Sequence, residues 1–399
     1  MERHFDCCIA GGGPAGMMLG TLLARRGASV AVLEKHKDFL RDFRGDTIHP
    51  STMQVLEELG WLDDLLKLPH QPVSHLTANF DDRPFRIADL SHLPVKAPFI
   101  AMMPQWDFLN FLAERGRAYP AFSLFMETRA IDLVRTGERI TGVKAVGPEG
   151  ERIMRAGLVI AADGRSSTLR ACAGLESEEI GAPMDVLWFR LPRLPSDTAE
   201  TQARFHRGSV FVMLNRGAYW QCAFVIAKGN DARIRAEGLA AFRDRVGKLV
   251  PFEAERSQAI AGLDDVKLLT VQIDRLKQWW RPGFLCIGDA AHAMSPVGGV
   301  GINLAIQDAV AAANILADAV REGEVTDAQL AAVQKRREWP TRMTQRLQVL
   351  MQNAIIVPAL ANKAVKPPLA IRAFACLPIL ARIPARLLGM GFRPEHIKQ

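Results

Sequence analysis

The chain has 399 residues, 49% hydrophobic and 23% charged, which excludes a disordered polymer and predicts two lobes rather than one small core. The formal net charge is +7. Nine Lys or Arg and one acid, Glu395, lie between Arg342 and Gln399, a local +8 that leaves the first 341 residues at −1. A near-neutral body without interleaved aromatic and basic motifs argues against a nucleic-acid partner.

Six cysteines (Cys7, Cys8, Cys172, Cys222, Cys286, Cys376) show neither metal spacing nor CxxC. They predict buried free thiols in a reducing cytosol. The chain enters an apolar strand, Phe5 to Ala10, within a few residues, so no secretory leader is expected. Gly11–Gly12–Gly13–Pro14–Ala15–Gly16 follows, a GxGxxG. A helix is predicted from Met17 to Arg26 with Gly27 as its stop, then a strand from Val30 to Leu33 ending in Glu34 and Lys35. This is the βαβ dinucleotide fingerprint. Gly11 allows the tight turn, Gly13 lets the backbone approach a pyrophosphate, and Gly16 lets helix and strand pack. Glu34 stands where a carboxylate accepts ribose hydroxyls and repels a 2′-phosphate.

The loop Arg41 to Ser51 contains Arg44 and His49 and precedes a helix starting at Ser51 and capped by Gly60. It reads either as a phosphate clamp or as a solvated charged loop. Val73 to Ala88 predicts short strands with Asp81–Asp82 as a turn. Pro104 to Arg117 predicts a helix opened by Gln105. Phe122 to Glu151 predicts an antiparallel meander with turns at Gly137, Gly142, Gly147 and Gly150. Leu158 to Ala162 is a buried strand leading into Asp163–Gly164–Arg165, a strand-to-helix turn with Ser167 as N-cap.

Met184–Leu191, Ala203–His206, Val210–Leu214 and Tyr219–Ala227 are strand-like, and Leu239 to Leu249 helical. With Val73–Ala88 and Val266–Ile273 they form a second sheet, whose Trp188, Phe211, Met213, Trp220 and Phe224 line an apolar pocket or fill the sheet core. His75, His206 and His292 are the candidate bases, although histidines in such places are more often structural or at the surface.

Cys286 to Ala309 organises the chain. A strand from Phe284 to Ile287 ends in Gly288–Asp289, and Pro296 to Asn303 is a glycine-rich turn (Gly298, Gly299, Gly301) opening a long helix. Its free N–H groups suit something flat or anionic. From Leu347 the chain is apolar and basic by turns and broken by prolines. It suits helices packed on the body, or alternatively an anionic membrane surface.

GxGxxG with Glu34, then Asp163–Gly164, then Gly288–Asp289, in that order over roughly residues 5–320, resembles the single-component (group A) flavoprotein aromatic hydroxylases, the para-hydroxybenzoate hydroxylase-like family. The resemblance implies an α/β fold: a Rossmann-like FAD-binding domain (1–72, 98–178 and 274–341), an inserted mainly antiparallel substrate domain (73–97 and 179–273), and a helical basic tail (342–399). It implies that Gly11, Gly13, Ala15, Gly16, Glu34 and Lys35 hold the adenosine side of FAD. Arg44 would lie near the phosphates and the nicotinamide, Gln105 near the flavin, and Asp163, Gly164 and Arg165 between FAD and NAD(P)H. Asp289 would meet the ribityl chain, and Pro296, Gly299, Val300, Gly301, Ile302 and Asn303 the isoalloxazine. His292, Pro296 and His206 would be the catalytic candidates, with no metal.

The implied reaction uses NAD(P)H and O2, through a flavin C4a-hydroperoxide, to hydroxylate an aromatic or other electron-rich substrate in the cytoplasm. Only Tyr119 and Tyr219 exist, so a tyrosine pair ionising a phenol is not expected. The tail matches the family's shorter form, without an added thioredoxin-like domain. The alternatives are a membrane-associated polyprenyl-quinone-type hydroxylase or epoxidase, and an FAD-binding redox protein without monooxygenation. A halogenase is disfavoured because WxWxIP is absent.

Overall fold

The computed structural model describes residues 2–40, 47–80, 83–198, 200–361, 367–368, 371 and 377–398. Arg44, the Asp81–Asp82 turn and Cys376 lie outside the described residues. The first sheet is built on Glu2–Ala10, whose apolar second half, from Cys7 to Ala10, is buried on both faces. It pairs in parallel with Val30–Leu33 on one side and Gly150–Ala161 on the other. Val30–Leu33 is buried at all four positions, as a parallel strand covered on both faces must be. Phe284–Cys286 extends the parallel set beside Gly150–Ala161, and Phe122–Phe125 extends it beside Val30–Leu33.

The expected meander from Phe122 is thus corrected at its start. Phe122–Phe125 is a parallel strand, and only Arg129–Thr136, Arg139–Gly147 and the first half of Gly150–Ala161 run antiparallel. Gly142 is no turn but a strand residue, where a Cβ would meet the Met154 carbonyl at 2.4 Å.

Two helices cover the sheet and pack on each other, the fingerprint helix Pro14–Arg25 and the central helix Gly301–Glu322. The central helix ends at Gly323, which takes φ +76° as the left-handed cap. It is long and apolar enough to cross a membrane, but most of it is buried as the core helix of this layer. A third long helix, Asp327–Met351, starts at a Thr326/Gln329 capping box and packs on the central helix.

The second sheet has seven strands in the order Lys267–Leu269, Met184–Pro192, Tyr219–Ala227, Ser209–Asn215, Gln202–His206, His75–Phe80, Arg83–Asp89. All its pairs are antiparallel except Gln202–His206 with His75–Phe80. One face packs on Gly238–Gly247 through Phe189, Phe211, Trp220 and Phe242. The other faces the first lobe across a cavity. That cavity is closed at one side by the end of the tail, where the helix Arg382–Gly389 lies against Arg83–Asp89. The last residues are clasped to the body. Glu395 accepts from Arg336 at 2.7 Å and from Arg337 at 3.3 Å, and Ile397 N–H donates to Glu58 at 2.7 Å.

Candidate active site

The parallel strands end side by side, so the loops that follow Ala10, Leu33 and Ala161 converge at one edge. Gly11 turns there with φ +106°, and a Cβ on it would sit 2.3 Å from the Ala162 carbonyl. At Gly16 a Cβ would meet the Gly11 carbonyl at 2.0 Å. These two glycines are dictated by packing. Gly13 differs, because a Cβ there would meet nothing within 4 Å. Its backbone borders open cavity, the space a pyrophosphate needs above a helix N-terminus. Glu34 lies on the same wall, 8% exposed, and accepts from the N–H of Gly12 at 3.1 Å and of His36 at 3.0 Å. Those bonds fix the carboxylate at the end of the second strand.

Asp163 accepts at Oδ2 from the N–H groups of Thr168 (2.9 Å) and Leu169 (3.3 Å), while its buried Oδ1 has no partner. Burial pushes this carboxyl above the usual range, against hydrogen bonds from Ser167 and the backbone of Leu169 and Thr168. An orphaned buried acceptor bordering a cavity calls for a donor from a ligand. Arg165 spans to Asp289 at 3.6 Å and donates to the Thr270 carbonyl at 3.1 Å. It thereby joins the Asp-Gly and Gly-Asp motifs across the cavity.

The turn before the central helix uses Gly298 at φ +80° and Gly299 at φ +63°. Thr47 donates to the Gly299 carbonyl at 2.7 Å. Asn303 accepts from the His49 N–H at 3.0 Å and the Thr52 hydroxyl at 2.7 Å. The first intrahelical bond shown there is Leu304 N–H to Val300 C=O, so the N–H groups before it lie free of the helix ladder, where partial positive charge accumulates. His49 is fully buried and donates from Nδ1 to the Leu388 carbonyl at 2.8 Å, linking this turn to the tail.

The three motifs border one cavity of about 1060 Å³. Gly11, Gly13, Ala15, Glu34, Lys35, Gln105, Asp163, Gly164, Arg165, Asp289, Pro296, Gly299, Val300, Gly301, Ile302 and Asn303 line it; Gly16 lies beneath. Its far wall is the inner face of the second sheet, with Val186, Trp188, Val212, Leu214, Gln221 and Ala223.

Three sets of expectations fail here. Phe211, Met213, Trp220 and Phe224 belong to the opposite face, in the core under Gly238–Gly247. Strand side chains alternate, so taking the bulky residues picked the wrong parity on Ser209–Asn215, and only Trp188 of the five lines the cavity. His206 likewise lies off the wall that Ala203 and Phe205 form. His292 is not a base at the cavity: it is 1% exposed and donates from Nε2 to Asp308 at 2.6 Å, beneath Trp279. Asp308 also takes Arg337 at 3.0 Å. Burial would raise the Asp308 pKa, but the His292 and Arg337 charges outweigh it and hold the carboxyl below the usual range. This is a structural ion network tying the central helix to Asp327–Met351. The sequence reading also missed Leu387, Leu388, Met390 and Phe392 of the tail, which close the cavity. The alternation of apolar and basic residues there was the available signal.

A glycine cradle, a buried carboxylate at the end of the second strand and an apolar chamber meet in one cavity, as a dinucleotide-dependent oxidoreductase requires. The chain belongs to the FAD binding domain family, whose model matches residues 4–347, and it is an FAD-dependent monooxygenase. It is 33% identical over 374 residues to 6-methylpretetramide 4-monooxygenase of Streptomyces rimosus, covering 92% of this chain and 88% of that one. It is 29% identical over 318 residues to rifampicin monooxygenase of Streptomyces venezuelae, covering 76% of this chain but only 62% of that longer protein. The crystal structure of p-nitrophenol 4-monooxygenase PnpA from Pseudomonas putida DLL-E4 shares the fold, with a TM-score of 0.81 at 20% identity over 96% of this chain and 97% of that one. The residues present fit FAD, on the open Gly13 backbone and the unpartnered Asp163 Oδ1.

Proposed function

We propose that this enzyme hydroxylates a neutral, electron-rich aromatic substrate of more than one ring, with NAD(P)H as reductant and O2 as oxidant. Bound FAD supplies two-electron redox chemistry and the activation of dioxygen. Overall, one oxygen atom enters a C–H bond of the substrate. The other leaves as water, with NAD(P)H and a proton supplying the two electrons and two hydrogens.

The observation that carries the reading is that the glycine cradle and the apolar inner face of the second sheet border one cavity. Gly13, Glu34 and Lys35 would hold the adenosine side, and Gln105, Asp163 and Asp289 the flavin side. Arg165, and Arg44 from the sequence pattern, would meet the nicotinamide or phosphates. The start of the central helix favours negative charge beside Pro296 to Asn303. Trp188, Val212 and Ala223 exclude water from the substrate, and the Gln221 amide orients it. Among the described residues no histidine or carboxylate faces the cavity from the sheet wall. On this reading the substrate's own hydroxyl or amino group supplies the activation. A relative named for 6-methylpretetramide supports a multi-ring substrate. Four buried free thiols support work in the cytoplasm.

The test is anaerobic stopped-flow reduction with NADPH and NADH against a panel of phenols, naphthols and larger fused-ring phenols, followed by turnover in 18O2. A multi-ring phenol should speed flavin bleaching about tenfold or more over phenol itself and gain one labelled oxygen. Full conversion of O2 to hydrogen peroxide with every compound would leave a flavin oxidase and overturn the reading.

A further inference from the structure

Between Pro340 and Pro394 the chain carries eight Lys or Arg and not one Asp or Glu. Among the described residues, four of the five most exposed large apolar side chains lie in this stretch: Leu350 (64%), Leu377 (56%), Ile379 (65%) and Ile383 (58%). The helix Arg382–Gly389 is two-faced. Ala385 and Gly389 are buried against the body, while Arg382, Ile383 and Arg386 face outward together. An exposed isoleucine beside two exposed arginines on one helix is poorly placed for water and well placed for the boundary between lipid headgroups and acyl chains.

Leu350 and Ile383 also line the cavity. Side chains that are both exposed and cavity-lining mark its mouth, so the apolar chamber opens through the apolar, basic rim.

We propose that this rim is a peripheral docking surface for an anionic lipid membrane, through which apolar substrate passes from the bilayer into the chamber. The rim as binding surface does not depend on the reaction proposed above. Charge selects the occupant. A second copy of the chain would bring one basic rim against another, and like charges repel. A nucleic acid would meet leucine and isoleucine, which offer no face for base stacking. Anionic headgroups match the cations, and acyl chains match the aliphatic side chains.

The experiment is co-sedimentation of the FAD-loaded enzyme with phosphatidylcholine vesicles, pure or containing roughly one-third phosphatidylglycerol. The enzyme should pellet with the anionic vesicles, release with salt, and ignore the neutral ones. The L377E/I379E pair should weaken binding about tenfold or more with flavin content and melting temperature held. If that pair misfolds, R382E/R386E should do the same through charge. No pelleting with anionic vesicles at low salt overturns the proposal. So does binding unchanged by either pair, or a dimer that L377E/I379E dissolves in a protein that ignores vesicles. None of these readouts uses turnover, so their failure and a failed hydroxylase assay are separate results.

Discussion

Gly13 and Gly11 stand two residues apart and respond to a methyl group in opposite ways. A Cβ at Gly11 collides with backbone, whereas one at Gly13 enters open cavity. Gly13→Ala should therefore leave the melting temperature of the FAD-free protein unchanged and weaken FAD binding by about 1–3 kcal/mol, read by flavin retention on gel filtration. Gly11→Ala should lower stability itself. His49 makes a second residue-scale prediction. Burial pushes its imidazole from 6.5 down to about 4, against the pull of the Leu388 carbonyl. The unfolded chain binds the proton first, so the stability is whole above pH 6.5 and is lost as pH falls through 4, about 3 kcal/mol in all. His49→Gln should flatten that acid limb in denaturation curves taken from pH 7 to pH 4. The fingerprint glycines were legible before any coordinates because each has a chemical reason at a set spacing. His49 was not, because its acceptor, Leu388, lies 339 positions away.

At the scale of elements, the second sheet shows how one parity error moves a pocket. Phe211 packs near Phe189 at 6.1 Å in the core, while the next residue, Val212, faces the cavity. Phe211→Ala should cost about 3–5 kcal/mol of stability. Val212→Phe should leave the melting temperature nearly unchanged and instead raise KM or turn NAD(P)H oxidation toward hydrogen peroxide. The strands themselves were readable from their apolar runs. Their facing was not, because Tyr219–Ala227 is buried at seven consecutive positions and alternation vanishes when both faces are covered. The helices carry a comparable prediction. Arg337 is 1% exposed and binds both Asp308 and Glu395. Arg337→Leu would remove the cation Asp308 and Glu395 share, leaving them His292 and Arg336, and should cost about 1.5–3 kcal/mol, seen as a lowered urea midpoint.

For the molecule as a whole, order and spacing of three motifs declared the FAD-binding lobe, since local backbone chemistry writes those motifs. The chamber was harder to foresee, because its walls come from segments whose meeting depends on tertiary packing: two inserted strands, five later ones and the tail. The clasp of Glu395, His396 and Ile397 on the body also sets an order in time. Residues 382–398 leave the ribosome after every other wall has been made. Between the end of the central helix at Glu322 and Lys398 that is an interval of roughly 4–15 s at ordinary synthesis rates. During it the nascent chain already carries the complete glycine cradle beside a chamber open along one side. A chain truncated before Arg382 should therefore still retain flavin, read by its visible spectrum, while lacking the wall that Leu387, Leu388, Met390 and Phe392 provide.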